Sequence, residues 1–131
     1  MVSNLKVFFT VFICCFLLAC STGVKQEDLL GRWNYVSYEY SNKYLDKPLA
    51  NIAVQKPYIE FTKNGNCKIV SSGKVLSKGS YELENKIIRY TENLPGGQKR
   101  AIPFLIQSLT NDELVFQTMD AEVKVITASR N

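Results

Sequence analysis

The sequence predicts an all-β fold: a small antiparallel up-and-down β-barrel of about eight strands. Three observations predict it. From Leu29 onward, short runs rich in β-branched and aromatic residues follow one another with no helical period. Turn signals recur between the runs, among them Asn64-Gly65, Ser72-Gly73, Glu84-Asn85-Lys86 and Pro95-Gly96-Gly97. Strands joined by such tight turns must be antiparallel, and closing the sheet is the simplest way to leave no exposed edge.

A different segment precedes the strands. One positive charge, Lys6, is followed by an apolar run from Val7 to Ala19 broken only by Thr10, and then by small residues at Cys20, Ser21 and Thr22. That order of charge, apolar run and small residues is the pattern of an export signal. The run holds 13 residues, and a membrane-spanning helix needs about 20. As a buried core helix it would have no exposed face. The expected organisation is a signal peptide over 1–19, a lipidated cysteine and tether over 20–28, and a barrel domain over 29–131.

Leu17-Leu18-Ala19-Cys20 resembles the lipobox of bacterial lipoproteins. The resemblance implies that the Cys20 thiol takes a diacylglycerol, that the chain is cut before it, and that the new amine is acylated. Several acyl chains, at about 0.8 kcal/mol per buried methylene, make a lasting anchor. The membrane is thus an expected partner, reached through lipid and not by a span. Cys14 and Cys15 leave with the signal and Cys20 is consumed, so Cys67 is alone and no intramolecular disulfide can form. Removing the first 19 of 131 residues leaves 112, enough for one domain with one core. Losing Lys6 lowers the net charge from +4 to +3. The charges are scattered, with no basic cluster beyond Lys99-Arg100, so no nucleic-acid partner is expected.

Gly31 to Tyr40 is an aromatic-rich first strand, with Trp33, Tyr35, Tyr38 and Tyr40. Pro57 to Thr62 alternates Ile59 and Phe61 against Tyr58 and Glu60. Cys67 to Ser71 and Val75 to Leu83 follow, the latter with a bend or bulge expected at Gly79. Then come Ile87 to Thr91 and Lys99 to Leu109, where Pro103 cannot donate a ladder hydrogen bond and implies a bulge or an edge. Leu114 to Met119 and Ala121 to Arg130 complete the set. Alternation assigns an inward face: Trp33 and Tyr35; Ile59 and Phe61; Cys67 and Ile69; Tyr81 and Leu83; Ile88 and Tyr90; Ile102, Phe104 and Ile106; Leu114 and Phe116; Val123 and Val125. Glu39 falls in register with Trp33 and, if buried, needs a partner.

One connection is out of scale, the 16 residues from Ser41 to Lys56. Leu45, Leu49, Ile52 and Val54 make it too apolar to be fully solvated. It is expected to fold over one barrel end with a helical turn after Pro48, as a plug completing the core or as a lid over a ligand mouth.

Gly31-Arg32-Trp33, at the start of the first strand, resembles the Gly-x-Trp signature of lipocalins. Tyr58-Ile59-Glu60-Phe61 with its Asn64-Gly65 turn, Gly79 to Leu83, and Leu109 to Leu114 are similar to small lipocalin-like domains of bacterial lipoproteins, especially of Bacteroidota. The resemblance covers Leu29 to Arg130. It implies that Trp33 plugs the closed end, that Gly31 lets backbone pack closely there, and that a basic side chain of the last strand lies across the tryptophan. Arg130 is the candidate for that role, with a free solvated terminus as the other reading. The chain departs from lipocalins in having no helix after the last strand, no second lipocalin signature and a shorter domain. An eight-stranded barrel is wide enough either to fill with side chains or to hold one small ligand. Residues that would line such a cavity are Tyr35, Phe61, Ile69, Tyr81, Tyr90, Phe104 and Phe116.

The chain has no histidine, which removes the commonest general base and metal ligand. Cys67 has no histidine partner, and Glu60 and Glu82 read as solvated strand faces. No enzyme activity, metal or cofactor is expected. The leading function is binding of a small hydrophobic or amphipathic ligand at the membrane surface. The alternative is a protein-interaction or inhibitory accessory lipoprotein with a filled barrel, using Tyr38, Tyr40 and Tyr44 against an envelope protein partner. Ser21 stands where an inner-membrane retention aspartate would follow the lipidated cysteine, so the outer membrane, periplasmic face, is expected.

Overall fold

The computed structural model describes residues 23–45 and 51–130. The signal segment, Leu17, Leu18 and Ala19 of the lipobox, Cys20, Pro48 and Leu49 lie outside the described residues. Eight strands close in sequence order: β1 (Gly31–Tyr40), β2 (Tyr58–Phe61), β3 (Asn66–Ser71), β4 (Lys74–Glu84), β5 (Ile87–Asn93), β6 (Lys99–Leu109), β7 (Glu113–Thr118) and β8 (Lys124–Ser129). Each pairs antiparallel with the next, and β1 closes the barrel on β8. This is the up-and-down barrel the turn pattern predicts. The core residues and strand pairings all lie between Leu29 and Ser129, so the chain from Ser21 onward carries what the barrel needs to fold alone.

The turns form where their chemistry allows. Gly65 sits at φ +82° in the β2–β3 turn, and Ser72 and Gly73 are both left-handed in the β3–β4 turn. Gly79 packs hard against β5, but the bulge expected there lies at Leu76, where the pairing of β4 with β3 shifts between Ser77 and Val75. A Cβ at Gly79 would stand 1.8 Å from the Thr91 carbonyl oxygen, so only glycine fits. Gly31 corrects a reading of the sequence: a Cβ there would meet nothing within 4 Å. Its requirement is the backbone, at φ +110°, and not close packing. Pro103 pairs with Arg89 on β5, while the β6–β7 ladder begins one residue later at Phe104, so the proline sits where β6 is an edge.

Two faces differ from the alternation. In β1 a register shift between Tyr35 and Ser37 leaves Val36 exposed and turns Tyr38 and Tyr40 toward the interior. Glu39 is therefore exposed and needs no buried partner. In β8 the inward residues are Ile126 and Ala128, not Val123 and Val125. The strand also starts later than Ala121, because the loop before it is held by its own side chains. The Thr118 hydroxyl donates to Asp120 Oδ1 at 2.9 Å and accepts from the Lys124 amide at 2.9 Å.

The barrel has a closed and an open end. Residues up to Asp28 were expected to form only a tether, yet α1 (Gln26–Leu29) turns across the closed end and buries Leu29 completely. Trp33 Nε1 donates to the Leu29 carbonyl at 2.8 Å, and Gln26 Nε2 donates to the Tyr81 hydroxyl at 3.1 Å. That hydroxyl donates in turn to the Thr62 carbonyl at 2.9 Å. The polar atoms of the plug are thus satisfied inside it. Arg130 lays its guanidinium 4.2 Å from the Trp33 ring centroid and donates to the Asp28 carbonyl at 2.5 Å.

Candidate functional site: the open half of the barrel

The interior is packed in one half and hollow in the other. Trp33, Phe61, Ile59, Ile88 and Leu114 are buried and fill the closed half. Above them lies a layer of rings. Phe104 stacks on Tyr90 at 6.1 Å and meets Phe116 edge-on at 5.2 Å, and Phe116 meets Tyr35 edge-on at 6.2 Å. Over this layer opens a cavity of about 730 Å³, within the usual range for small-molecule sites.

Its lower walls are apolar, with Tyr35, Ile69, Ile102, Phe104, Phe116 and Ile126. Of the seven residues expected to line a cavity, Tyr35, Ile69, Phe104 and Phe116 do so. Phe61 and Tyr81 do not: they meet edge-on at 5.0 Å within the packed half. Tyr90 belongs to the ring layer but does not line the cavity; its hydroxyl lies 2.6 Å from Ser77 Oγ. Alternation predicts that a residue points inward, but not how far along the barrel it sits.

The upper walls are polar, and the sequence reading missed them. The inward row of β5 continues from Ile88 and Tyr90 to Glu92, a buried carboxylate that accepts from Arg100 on β6 at 2.6 Å. The inward row of β8 begins at Lys124, whose ammonium lies 3.2 Å from Asp120. Desolvation pushes the Asp120 carboxyl up, but hydrogen bonds from Thr118 and Lys124 prevail and hold it below its ordinary range. Extending the alternation of β5 past Tyr90 would have found Glu92, whereas Lys124 is out of phase with the face that the valines at 123 and 125 suggest.

Tyr35 is the polar group at the cavity floor. Burial, with smaller contributions from Cys67 and Tyr38, raises its phenol well above the ordinary value. Among the described residues nothing hydrogen-bonds its hydroxyl, in contrast to Tyr81 and Tyr90. Tyr38, higher in the wall, is raised by burial and partly lowered again by Lys124. Cys67 is buried among the core residues, and burial pushes its thiol up to about 12, which keeps it a neutral packing group.

The described end of the long segment after β1, residues 51–56, sits at this end. α2 (Ile52–Gln55) supplies the expected helical turn, capped by the Asn51 side chain on the Val54 amide at 3.3 Å. The Ser72 amide pins the Gln55 carbonyl at 2.6 Å, and Gln55 and Pro57 line the cavity mouth. Val54 points to solvent and does not complete the core. Glu60 lies on the outer wall between Arg32 at 3.6 Å and Lys68 at 3.5 Å, as a solvated strand face should.

Fold and site together define a closed eight-stranded barrel with one packed end and one amphipathic, open-mouthed cavity. No protein-family model matches this chain, and no curated protein sequence does either.

Proposed function

We propose that the chain is a lipid-anchored lipoprotein of the cell envelope whose lipocalin-like barrel holds one small amphipathic molecule. The observation that carries the binding half is the hollow over the ring layer, about 730 Å³ with apolar lower walls and a charged upper rim. An apolar body fits against Phe104, Phe116 and Ile126, a hydrogen-bond acceptor satisfies Tyr35, and a charged head meets Glu92 and Lys124. The filled-barrel alternative describes only the closed half. The anchor rests on Leu17-Leu18-Ala19-Cys20 after its apolar run, and the outer membrane, periplasmic face, on Ser21.

Native mass spectrometry tests the binding half, on the chain from Ser21 to Asn131 purified from its own envelope. One small molecule per chain, released on denaturation and missing from an Ile69→Trp variant that fills the cavity, is the expected result. A bare mass for the unaltered protein would count against a carrier. Palmitate labelling that disappears in Cys20→Ala tests the anchor.

A further inference from the structure

Large apolar side chains that face solvent are not spread evenly over this barrel. Among the described residues, Tyr44 is 95% exposed, Val54 72% and Leu76 67%, and Val75 and Met119 are also exposed. All five stand on the loops and strand ends around the mouth. Val36, on the outer wall, is the one exposed large apolar residue elsewhere. Leu76 also lines the cavity, so the apolar rim runs without interruption into the site.

Charge is arranged around the same ring. Lys43, Lys56, Lys74 and Lys99 are exposed at the open end and make no ion pair among the described residues. Arg100 and Lys124 there neutralise Glu92 and Asp120. Glu39 and Glu122 also stand at the open end; the closed end mixes Glu27, Asp28, Glu84, Asp112 and Glu113 with Lys25, Lys63 and Lys86, and among the described residues exposes no large apolar side chain. Lysine is depleted in protein–protein interfaces. Long lysines flanking exposed aliphatic and tyrosine side chains are what an anionic headgroup layer over acyl chains attracts.

We propose that the open end is a bilayer-docking surface: it seats the cavity mouth on a membrane rich in anionic headgroups. Tyr44, Val54, Leu76 and Met119 enter the interface while the lysine ring meets the headgroups. The site then opens to lipid and not to bulk water, so that an amphipathic ligand passes directly between bilayer and barrel. That last consequence rests on the carrier reading; the docking itself does not, and because α1 brings the chain in at the closed end, the bilayer at the mouth is one facing the barrel and not the one in which Cys20 would sit.

The test is vesicle flotation with the chain from Ser21 to Asn131, which carries no lipid of its own. Vesicles of phosphatidylglycerol and phosphatidylethanolamine are compared with phosphatidylcholine alone, at about 50 mM and about 500 mM salt. Flotation with the anionic vesicles is expected, at least about tenfold weaker on neutral vesicles or at high salt, since each lysine near an anionic surface contributes about fivefold. Replacing Lys43, Lys56, Lys74 and Lys99 by Gln should lose at least about tenfold. Val54→Ser with Leu76→Ser should lose several-fold while keeping the salt dependence. Lys25→Gln with Lys63→Gln, at the closed end, should change nothing. Absence of flotation, or equal losses from mouth and closed-end variants, would overturn the proposal. Self-association abolished by the mouth variants, without flotation, would assign the rim to a second copy. A barrel that docks but carries no ligand would sink the carrier reading alone.

Discussion

The two halves of this barrel are built from the same eight strands, and the same alternation aims side chains inward in both. In the closed half the inward positions carry large apolar groups, and the few polar atoms are matched locally. Trp33 Nε1 has the Leu29 carbonyl, and the Tyr81 hydroxyl has Gln26 and Thr62. In the open half the inward positions include Ser77, Glu92 and Lys124, whose partners Tyr90, Arg100 and Asp120 hold them along the wall and leave the centre empty. A barrel of this width thus becomes a core or a container according to which residues occupy a few inward positions. The closed half carries stability, and the open half is free to carry binding.

The largest effect should come from Trp33. Trp33→Ala empties the plug and should cost about 3–5 kcal/mol in urea unfolding. Leu76→Ser at the mouth should stay within about 0.5 kcal/mol. Arg130→Ala should fall between them, because its contact with the Trp33 face is worth about 0.5–2 kcal/mol. Equal costs for Trp33→Ala and Leu76→Ser would erase the distinction between the halves.

Alkaline pH is the next lever, and it acts on buried groups. Burial pushes the Cys67 thiol from 9.0 up to about 12 and the Tyr90 phenol from 10.0 up to about 12. Tyr81 is raised too, chiefly by burial. These groups are acids kept neutral by the fold, so the unfolded chain loses their protons first. It then binds fewer protons than the native state, and stability falls as pH rises. The urea midpoint should hold from pH 7 to about 8.5, fall from about 9 as Cys67 ionises in the unfolded chain, and steepen above about 10 when the tyrosines join. Each group contributes at most about 1.4 kcal/mol per pH unit. Cys67→Ala should remove the onset between about 9 and 10. A midpoint flat to about pH 11 would contradict the burial of these side chains.

The division between legible and hidden features follows the same boundary. Strand count and closure could be read because Asn64-Gly65, Ser72-Gly73 and Pro95-Gly96-Gly97 punctuate the chain, and β1 and β6 fall on the residues expected. The packed half was legible as well, since Ile59, Phe61, Ile88 and Leu114 announce an inward face by apolarity alone. The mouth was not. A bulge at Val36 reverses β1 beyond Tyr35, and no residue type signals it. Lys124 occupies an inward position of β8, so the valines at 123 and 125 suggested the opposite face. Hydrophobic pattern reveals a face only where the face is dry. At an open mouth, inward residues look like surface ones.

Tyr35 gives the finest test, because it stands on the boundary between the halves. Its hydroxyl makes no hydrogen bond to the described residues, so removing it takes nothing from the fold. Tyr35→Phe should leave unfolding stability within about 0.5 kcal/mol, or raise it slightly, because a desolvated hydroxyl is lost with no partner stranded. Binding should respond differently. Titration with 1-anilinonaphthalene-8-sulfonate, an amphipathic fluorescent anion, reads occupancy of the cavity. A hydrogen bond of about 1 kcal/mol between this hydroxyl and a bound polar group would make the variant weaker by about fivefold. Tyr90→Phe supplies the contrast: it breaks the bond to Ser77 and should lower stability with little change in binding. If Tyr35→Phe instead destabilises by more than about 1 kcal/mol and binds the probe normally, the hydroxyl belongs to the packed half and the container begins above it.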